Sequence, residues 1–304
     1  MCRGRLSLRG NGSVTTYTPF SLPIPDILCQ TFRMKNLTAT ICLAVAVLLG
    51  STGVSWSQDW QKGYAAAQSG GFATALREWI PLAKQGNADA QYNLGVMYEN
   101  GQGISKNYKT AVKWYRLAAE QGDAGAQFNL GNSYRHGLGV PQNDKIAVKW
   151  YRLAAEQGSA TVQYILGQMY RQGKGVPQDY KTAVKWYRLA AEQGDAGAQS
   201  NMGFMYAEGQ GVPKDYKTAV KWSGLAAKQG YVTAQVNLGV MYGMGTGVIQ
   251  DWVYAHMWGI IAASSGNENG AKLRDVAAKK MTPADISAAQ KLARECARKQ
   301  YKGC

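Results

Sequence analysis

The twenty residues from Tyr108 to Gln127, YKTAVKWYRLAAEQGDAGAQ, recur without a single change from Tyr180 to Gln199, and softer copies of the same text recur every 36 residues on either side. A unit of that length is one supersecondary element. It is too small to bury its own apolar face, so neighbouring units must stack into a solenoid. Composition agrees with an ordered body: 46% of the 304 residues are hydrophobic and only 8 are proline.

Five full units are read at 88–123, 124–159, 160–195, 196–231 and 232–267. Each carries two helix patterns. In the first, helix A, Ala90, Leu94 and Tyr98 share one face and Gly101-x-Gly103 stops the helix. Asn107, Asn143, Asp179, Asp215 and Asp251 then hold one equivalent position, where a side-chain oxygen caps the second, helix B. The apolar face of helix B is read as Ala111, Trp114, Leu117 and Ala118, and Gly122 ends it.

A glycine inside helix A, at Gly95, Gly131, Gly167, Gly203 and Gly239, costs about 1 kcal/mol against alanine each time. Its recurrence predicts helices so close that any side chain would clash. The Ala-Ala pairs at 118–119, 154–155, 190–191 and 226–227 point the same way. Trp114, Trp150, Trp186, Trp222 and Trp258 are expected to fill the space between units.

Residues 58–87 read as a degenerate first unit, with helices over 60–69 and 72–85 and a kink at Pro81. Residues 268–304 read as capping helices: a polar helix over 268–281, then a last helix opened by Thr282-Pro283-Ala284-Asp285 and ending near Arg298.

The recurring text Ala-Gln-x-x-Leu-Gly-x-x-Tyr, Gly-x-Gly-Val-Pro-x-Asp-Tyr and Ala-x-x-Trp-Tyr-x-x-Ala-Ala-x-Gln-Gly resembles the Sel1-like repeat, a relative of the tetratricopeptide repeat, over roughly residues 58–300. The resemblance implies an all-α fold, a right-handed superhelical solenoid of α/α hairpins that serves as a protein-interaction scaffold. A cysteine-rich branch of that family clips each hairpin with a disulfide and carries a β-lactam-binding or β-lactamase label. No repeat here contains cysteine, so the label does not carry over with the repeat.

The N-terminal residues read differently. Met34-Lys35-Asn36 opens a short basic region, Leu37 to Leu49 is apolar apart from Thr38 and Thr40, and Ser55-Trp56-Ser57 offers small residues for cleavage. Residues 34–57 are therefore expected to be a signal peptide, and 1–33 a non-structural upstream extension. Thirteen apolar residues fall short of the ~20 a spanning helix needs, so no integral span is expected in the exported chain. A lipid anchor at Cys42 is rejected because Thr40-Ile41 precede it. The expected location is periplasmic or secreted.

Loss of Arg3, Arg5, Arg9, Arg33, Lys35 and Asp26 with that leader brings the net charge from +15 to about +11. Outside the cytoplasm such a charge points to acidic proteins, anionic polysaccharide or lipid phosphate, and not to nucleic acid. Of five cysteines, Cys296 and Cys304 remain, an isolated pair in an oxidising compartment. In a continuous helix their Cα atoms would stand ~12 Å apart. A disulfide therefore requires the helix to stop near Arg298 and turn back, with Gly303 permitting the reversal. Closing that nine-residue loop would stabilise the fold by about 2.5 kcal/mol.

Catalytic signals are sparse. His136 and His256 occupy non-equivalent repeat positions, His-Glu-x-x-His is absent, and so are Ser-x-x-Lys, Ser-Asp-Asn and Lys-Thr-Gly. Gly137-Leu138-Gly139 follows a helix and no strand, so it carries no phosphate-loop signal. No catalytic residue, metal or cofactor is expected. The runner-up function is a β-lactam-binding or hydrolysing envelope protein.

The face of helix A opposite Leu94 and Tyr98 is expected to line a concave groove. Its columns give the candidate partner-binding residues Tyr92, Phe128 and Tyr164; Asn93, Asn129, Asn201 and Asn237; and Val96 and Phe204. Asparagines can donate to and accept from an extended peptide, while aromatics supply contact area. Tying neighbouring hairpins together is the competing role for these side chains. A protein or peptide partner is favoured, with an envelope polysaccharide as a weaker target. A basic stripe runs down helix B, with Lys109 and Lys113, Lys145 and Lys149, Lys181 and Lys185, and Lys217 and Lys221, joined by Arg116, Arg152 and Arg188. It can keep the protein soluble or dock an anionic surface, and Glu120, Glu156 and Glu192 partly offset it.

Overall fold

The computed structural model describes residues 58–302 and 304. The extension and leader expected over 1–57, and Gly303, lie outside the described residues. The rest is fourteen helices with no strand among the described residues. Helix α1 covers 58–68 and α2 is Phe72–Lys84. The A helices are α3 (Ala88–Asn100), α5 (Ala124–His136), α7 (Ala160–Gln172), α9 (Ala196–Glu208) and α11 (Val232–Met244). The B helices are α4 (Tyr108–Glu120), α6 (Asp144–Glu156), α8 (Tyr180–Glu192), α10 (Tyr216–Ala227) and α12 (Trp252–Ser264), and α13 (Glu268–Ala278) and α14 (Pro283–Arg298) follow. From α2 to α13 each helix packs on the next, and α14 returns to α12, so the chain is a solenoid of α/α hairpins.

Helix boundaries follow from the residues that satisfy orphan backbone groups. Asn107, Asn143, Asp179, Asp215 and Asp251 each accept a hydrogen bond from a backbone N–H at 3.0–3.1 Å, capping every B helix as the sequence predicts. The same five residues close the hairpin loop, donating their own N–H to the carbonyl of Tyr98, Tyr134, Tyr170, Tyr206 or Tyr242. Thr282 and Asp285 form a reciprocal capping box on α14 with Pro283 in the first turn. The helix α2 continues through Pro81 to Lys84.

The internal glycines do mark close approach. A Cβ on Gly95 would lie 2.5 Å from the ring of Tyr115, and one on Gly131 or Gly167 would lie 2.7 or 2.6 Å from Tyr151 or Tyr187. Those three tyrosines are fully buried. This corrects the expected apolar face of helix B. The residues that enter the core are Ala111, Val112, Tyr115, Ala118 and Ala119, while Leu117 is 44% exposed and Trp114 only half-buried. The reason is steric: the notch above Gly95 admits the ring one residue further round the helix. Trp114, Trp150, Trp186 and Trp222 each pack at the rim of the cluster formed by the preceding B helix and the A helix after it, whereas Trp258 is buried within the last cluster.

A second device binds unit to unit. Gln91, Gln127, Gln163, Gln199 and Gln235 are buried, and each donates its amide to the carbonyl of Ala83, Ala119, Ala155, Ala191 or Ala227 on the preceding B helix. The side-chain carbonyls of the first four accept from Gln121, Gln157, Gln193 and Gln229 in turn. The result is a buried ladder of glutamines along the stack. The fifth rung lacks its partner, because Ser265 stands at the helix end where the others have glutamine, and Gln235 Oε1 is buried without a hydrogen bond.

At the C-terminus α14 packs on α12 through Leu292, Ala293 and Cys296. The chain turns back after Arg298 at Gln300 and Tyr301, which adopt φ of 50° and 64°. The reversal thus falls on two non-glycine residues before Gly303. It brings the Cα atoms of Cys296 and Cys304 to 5.5 Å, within disulfide reach.

Candidate functional site

Within the five repeats, α3 touches α5 and α9 touches α11 across the intervening B helix, whereas no two neighbouring B helices touch to that extent. The A row is therefore the inner side of the curve, and it carries the candidate columns. In the first three units this inner face is closed by aromatic pairs. Tyr92, Phe128 and Tyr164 are half-buried and lie 6.1, 6.0 and 6.0 Å from the rings of Tyr115, Tyr151 and Tyr187.

Hydrogen bonds fix the surroundings of those rings. Tyr115 Oη meets the Glu99 carboxylate, and Tyr151 Oη donates to Asn132 Oδ1 at 2.6 Å. Gln168 donates to Tyr164 Oη at 2.6 Å. Burial is the main reason that every one of these phenols is pushed above its ordinary value, Tyr164 and Tyr187 to about 12. They stay neutral at physiological pH and act as packing surface; Tyr151 donates to Asn132, whereas Tyr187 Oη is buried without a hydrogen-bond partner.

The asparagine column divides. Asn93 donates to Asp89 O at 2.8 Å and Asn201 to Gly197 O at 3.0 Å, each one turn back along its own helix. Asn129 lies within hydrogen-bonding reach of the Tyr92 and Tyr115 hydroxyls of the unit before it. Asn237 stands on the wall of a cavity. Each amide keeps further donor and acceptor capacity. Val96 packs against the core cluster of the first two units, and Phe204 lies 5.9 Å beneath the Arg171 guanidinium.

The inner face opens at its C-terminal end. Between α9 and α11 a cavity of about 350 Å³ is lined by Phe204, Ala207, Asn237, Val240 and Met244, with Glu208 at its edge. Between α11 and α13 a second, of about 430 Å³, is lined by Val236, Val240, Met244, Trp252, Leu273 and Val276, with Asn269 and Lys272 beside it. Val240 and Met244 belong to both, so the two form one apolar depression. Met244 is 72% exposed and Val276 52%. An apolar surface of this kind, with a few polar groups at its rim, suits an anchoring side chain of a partner.

Only Phe204 and Asn237 of the sequence-derived candidates line that depression. Val240 belongs to the same inward column as Val96 and Phe204, while Met244, Trp252 and Leu273 were missed. For Met244 the signal was in its column, where Asn100, His136, Gln172 and Glu208 stand in the other units. His136 is exposed at the end of α5, whereas His256 is buried with Nδ1 2.9 Å from Arg274 O, so the two imidazoles occupy separate environments. Among the described residues no group of three His, Cys, Asp or Glu could hold a metal ion. No helix among the described residues is long and apolar enough to cross a membrane.

Stacked hairpins with glycine notches, capped B helices and an aromatic inner face define a tetratricopeptide-like helical repeat protein. The Sel1 repeat pattern matches residues 88–123, 124–159, 160–195, 196–231 and 232–267, and the chain belongs to the Sel1 repeat family. It is similar, at 38% identity, to a Sel1 repeat protein from Oxalobacter formigenes of known crystal structure. That match covers 71% of this chain and 86% of the other, with a TM-score of 0.64. A protective antigen of uropathogenic Escherichia coli with an SLR fold is 27% identical over 81% of this chain and 70% of its own, with a TM-score of 0.40. An immunity protein from Pseudomonas aeruginosa is 22% identical over 70% and 82%, with a TM-score of 0.39. Comparison with curated proteins returns no match.

Proposed function

We propose that the protein is an exported, non-catalytic interaction scaffold whose inner face holds a peptide segment of a partner protein, anchored at the C-terminal depression. The supporting observation is the continuous apolar opening shared by Val240 and Met244, on the side where the A helices already present Asn93, Asn129, Asn201 and Asn237. One large apolar side chain of the partner enters the depression, and the amides address its backbone.

The export half of the reading rests on the leader-like residues 34–57 and on the spare cysteine pair. Mass spectrometry of exported protein should find Cys296 and Cys304 joined, two hydrogens lighter than free thiols; free thiols would count against export to an oxidising compartment.

The groove half is tested by selecting peptides from a random display library on the wild-type protein. Selected peptides should share an apolar anchor and lose binding at least ten-fold to Val240→Glu. The Asn201→Ala and Asn237→Ala changes should weaken them further, while circular dichroism shows each variant folded. Peptides that bind Val240→Glu as tightly as wild type would remove the depression from the site.

A further inference from the structure

The outer side of the stack carries a second surface, independent of the inner-face reading. In the first repeat Leu117 is 44% exposed at the crest of α4, beside a cleft of about 500 Å³ whose walls include Lys109, Lys113, Arg116 and Val140. Two units further on, Leu189 is 45% exposed beside a cleft of about 480 Å³ walled by Lys181, Lys185, Arg188 and Val212. Leu153 and Leu225, at the equivalent positions, are 44% and 48% exposed. Four leucines in one row, each one period from the next, are thus left in water with cations around them.

The cations of this row are in no ion pair, although the three arginines each donate to a tyrosine hydroxyl. Among the described residues the ion pairs are Lys62–Glu78, Arg77–Glu78 and Arg274–Asp275, and none involves this row. Arg116 donates to Tyr134 Oη at 2.7 Å, and does not pair with Glu120. Each of the first three copies has two lysines and an arginine against Glu120, Glu156 or Glu192, with Asp144 added in the second and the cap Asp179, near Lys185, in the third; no carboxylate lines either cleft. The fourth copy has Lys217, Lys221 and Lys228 against the cap Asp215 alone, because Lys228 stands where the others have glutamate.

We propose that this ridge docks the protein on an anionic phospholipid bilayer, with the leucines entering the headgroup boundary and the lysines meeting lipid phosphate. A bilayer offers both an apolar phase and negative charge to every copy, whatever the distance between copies. An acidic peptide would need its own apolar and acidic groups repeated in register with the protein. The chemistry on the page is therefore matched most directly by a membrane surface.

The test uses the full-length chain and sedimentation with vesicles of phosphatidylcholine alone or mixed with phosphatidylglycerol. Residues 1–57 are identical in every variant, so their contribution cancels. Wild type should prefer the phosphatidylglycerol vesicles, and salt should weaken that preference. Changing Lys113, Lys149 and Lys185 to Gln should lower binding to anionic vesicles about a hundred-fold, at about a factor of five for each lysine. Changing Leu117, Leu153 and Leu189 to Ser should lower binding while leaving the salt dependence intact. These are exposed positions, and unchanged thermal melting confirms that the fold is kept. Equal binding by wild type and both variants would overturn the proposal. So would a leucine variant that binds like wild type, or capture of soluble polyglutamate without vesicle binding, which assigns the ridge to an acidic protein.

Discussion

The first three hairpins and the last two are built from the same text and pack differently. In the first three, a tyrosine lodges over the helix-A glycine: Tyr115 over Gly95, Tyr151 over Gly131, Tyr187 over Gly167. In the fourth, Ser223 replaces that tyrosine and its buried Oγ has no hydrogen-bond partner. In the fifth, Trp258 and Leu273 crowd Gly239 instead, and Gln235 lacks its acceptor bond. Ile249, where the second, third and fourth units have the proline of Val-Pro and the first has Ser105, is 90% exposed. The regular half is closed on its inner face and the irregular half is open. Departures from an otherwise uniform repeat thus coincide with the candidate site, as expected where local rules give way to function.

The largest effect should come from filling the notch in each half. Gly131→Ala places a methyl 2.7 Å from the immobile Tyr151 ring and should cost about 2 kcal/mol even after the gain in helix propensity. Gly203→Ala meets chiefly the Ser223 hydroxyl, which can rotate away, and should cost under about 1 kcal/mol. Urea melts of the two variants measure the difference. Equal losses would mean that the halves are packed alike.

The glutamine ladder gives a smaller contrast. Gln127→Leu strips partners from Ala119 O and Gln157 and should cost about 2 kcal/mol, whereas Gln235→Leu should cost nearer 1 because its carbonyl is already unpaired. Ser265→Gln, which supplies the missing rung, should raise stability by about 0.5–1 kcal/mol in the same melts. A neutral Ser265→Gln would show that the last rung needs no partner.

The smallest effect concerns the caps. Asn107 and Asn143 serve the first two B helices and Asp179 and Asp215 the next two. The Thr182 and Thr218 hydroxyls hold the two carboxyls below the usual carboxylate range. A depressed value in the folded state means that the contribution is present above the unfolded pKa of about 3.9 and is lost as pH falls through the folded one. The amide resonances of Thr182 and Thr218 should therefore shift on acidification below about pH 4, and that of Thr110, whose cap is Asn107, should not. Asp179→Asn should abolish the Thr182 response.

Much of the solenoid was legible because its determinants are local: caps, glycine stops and period are all printed in one strand of text. The choice between Trp114 and Tyr115 for the core was not. Adjacent residues differ by 100° on a helix, and what decides between them is the notch at Gly95, on another element. The glutamines were visible as part of the motif, yet their role needed the carbonyl eight residues back and the amide thirty residues on. For the site, the sequence pointed to the inner face but gave its uniform columns more weight than its interruptions. Met244 is such an interruption, whereas Val240 repeats the apolar character of Val96 and Phe204 in its own column.

The ladder also sets how the stack comes together and apart. Its bonds join residues 8, 30 and 35 positions apart, all shorter than one period. Each junction therefore closes only a short loop, and folding can begin at any junction and spread to its neighbours in either direction. Unzipping should run from an end, and at the C-terminal end it must first strip α13 and α14 from α12. The rung missing at Gln235 leaves the junction that borders Val240 and Met244 with one polar tie fewer than the others.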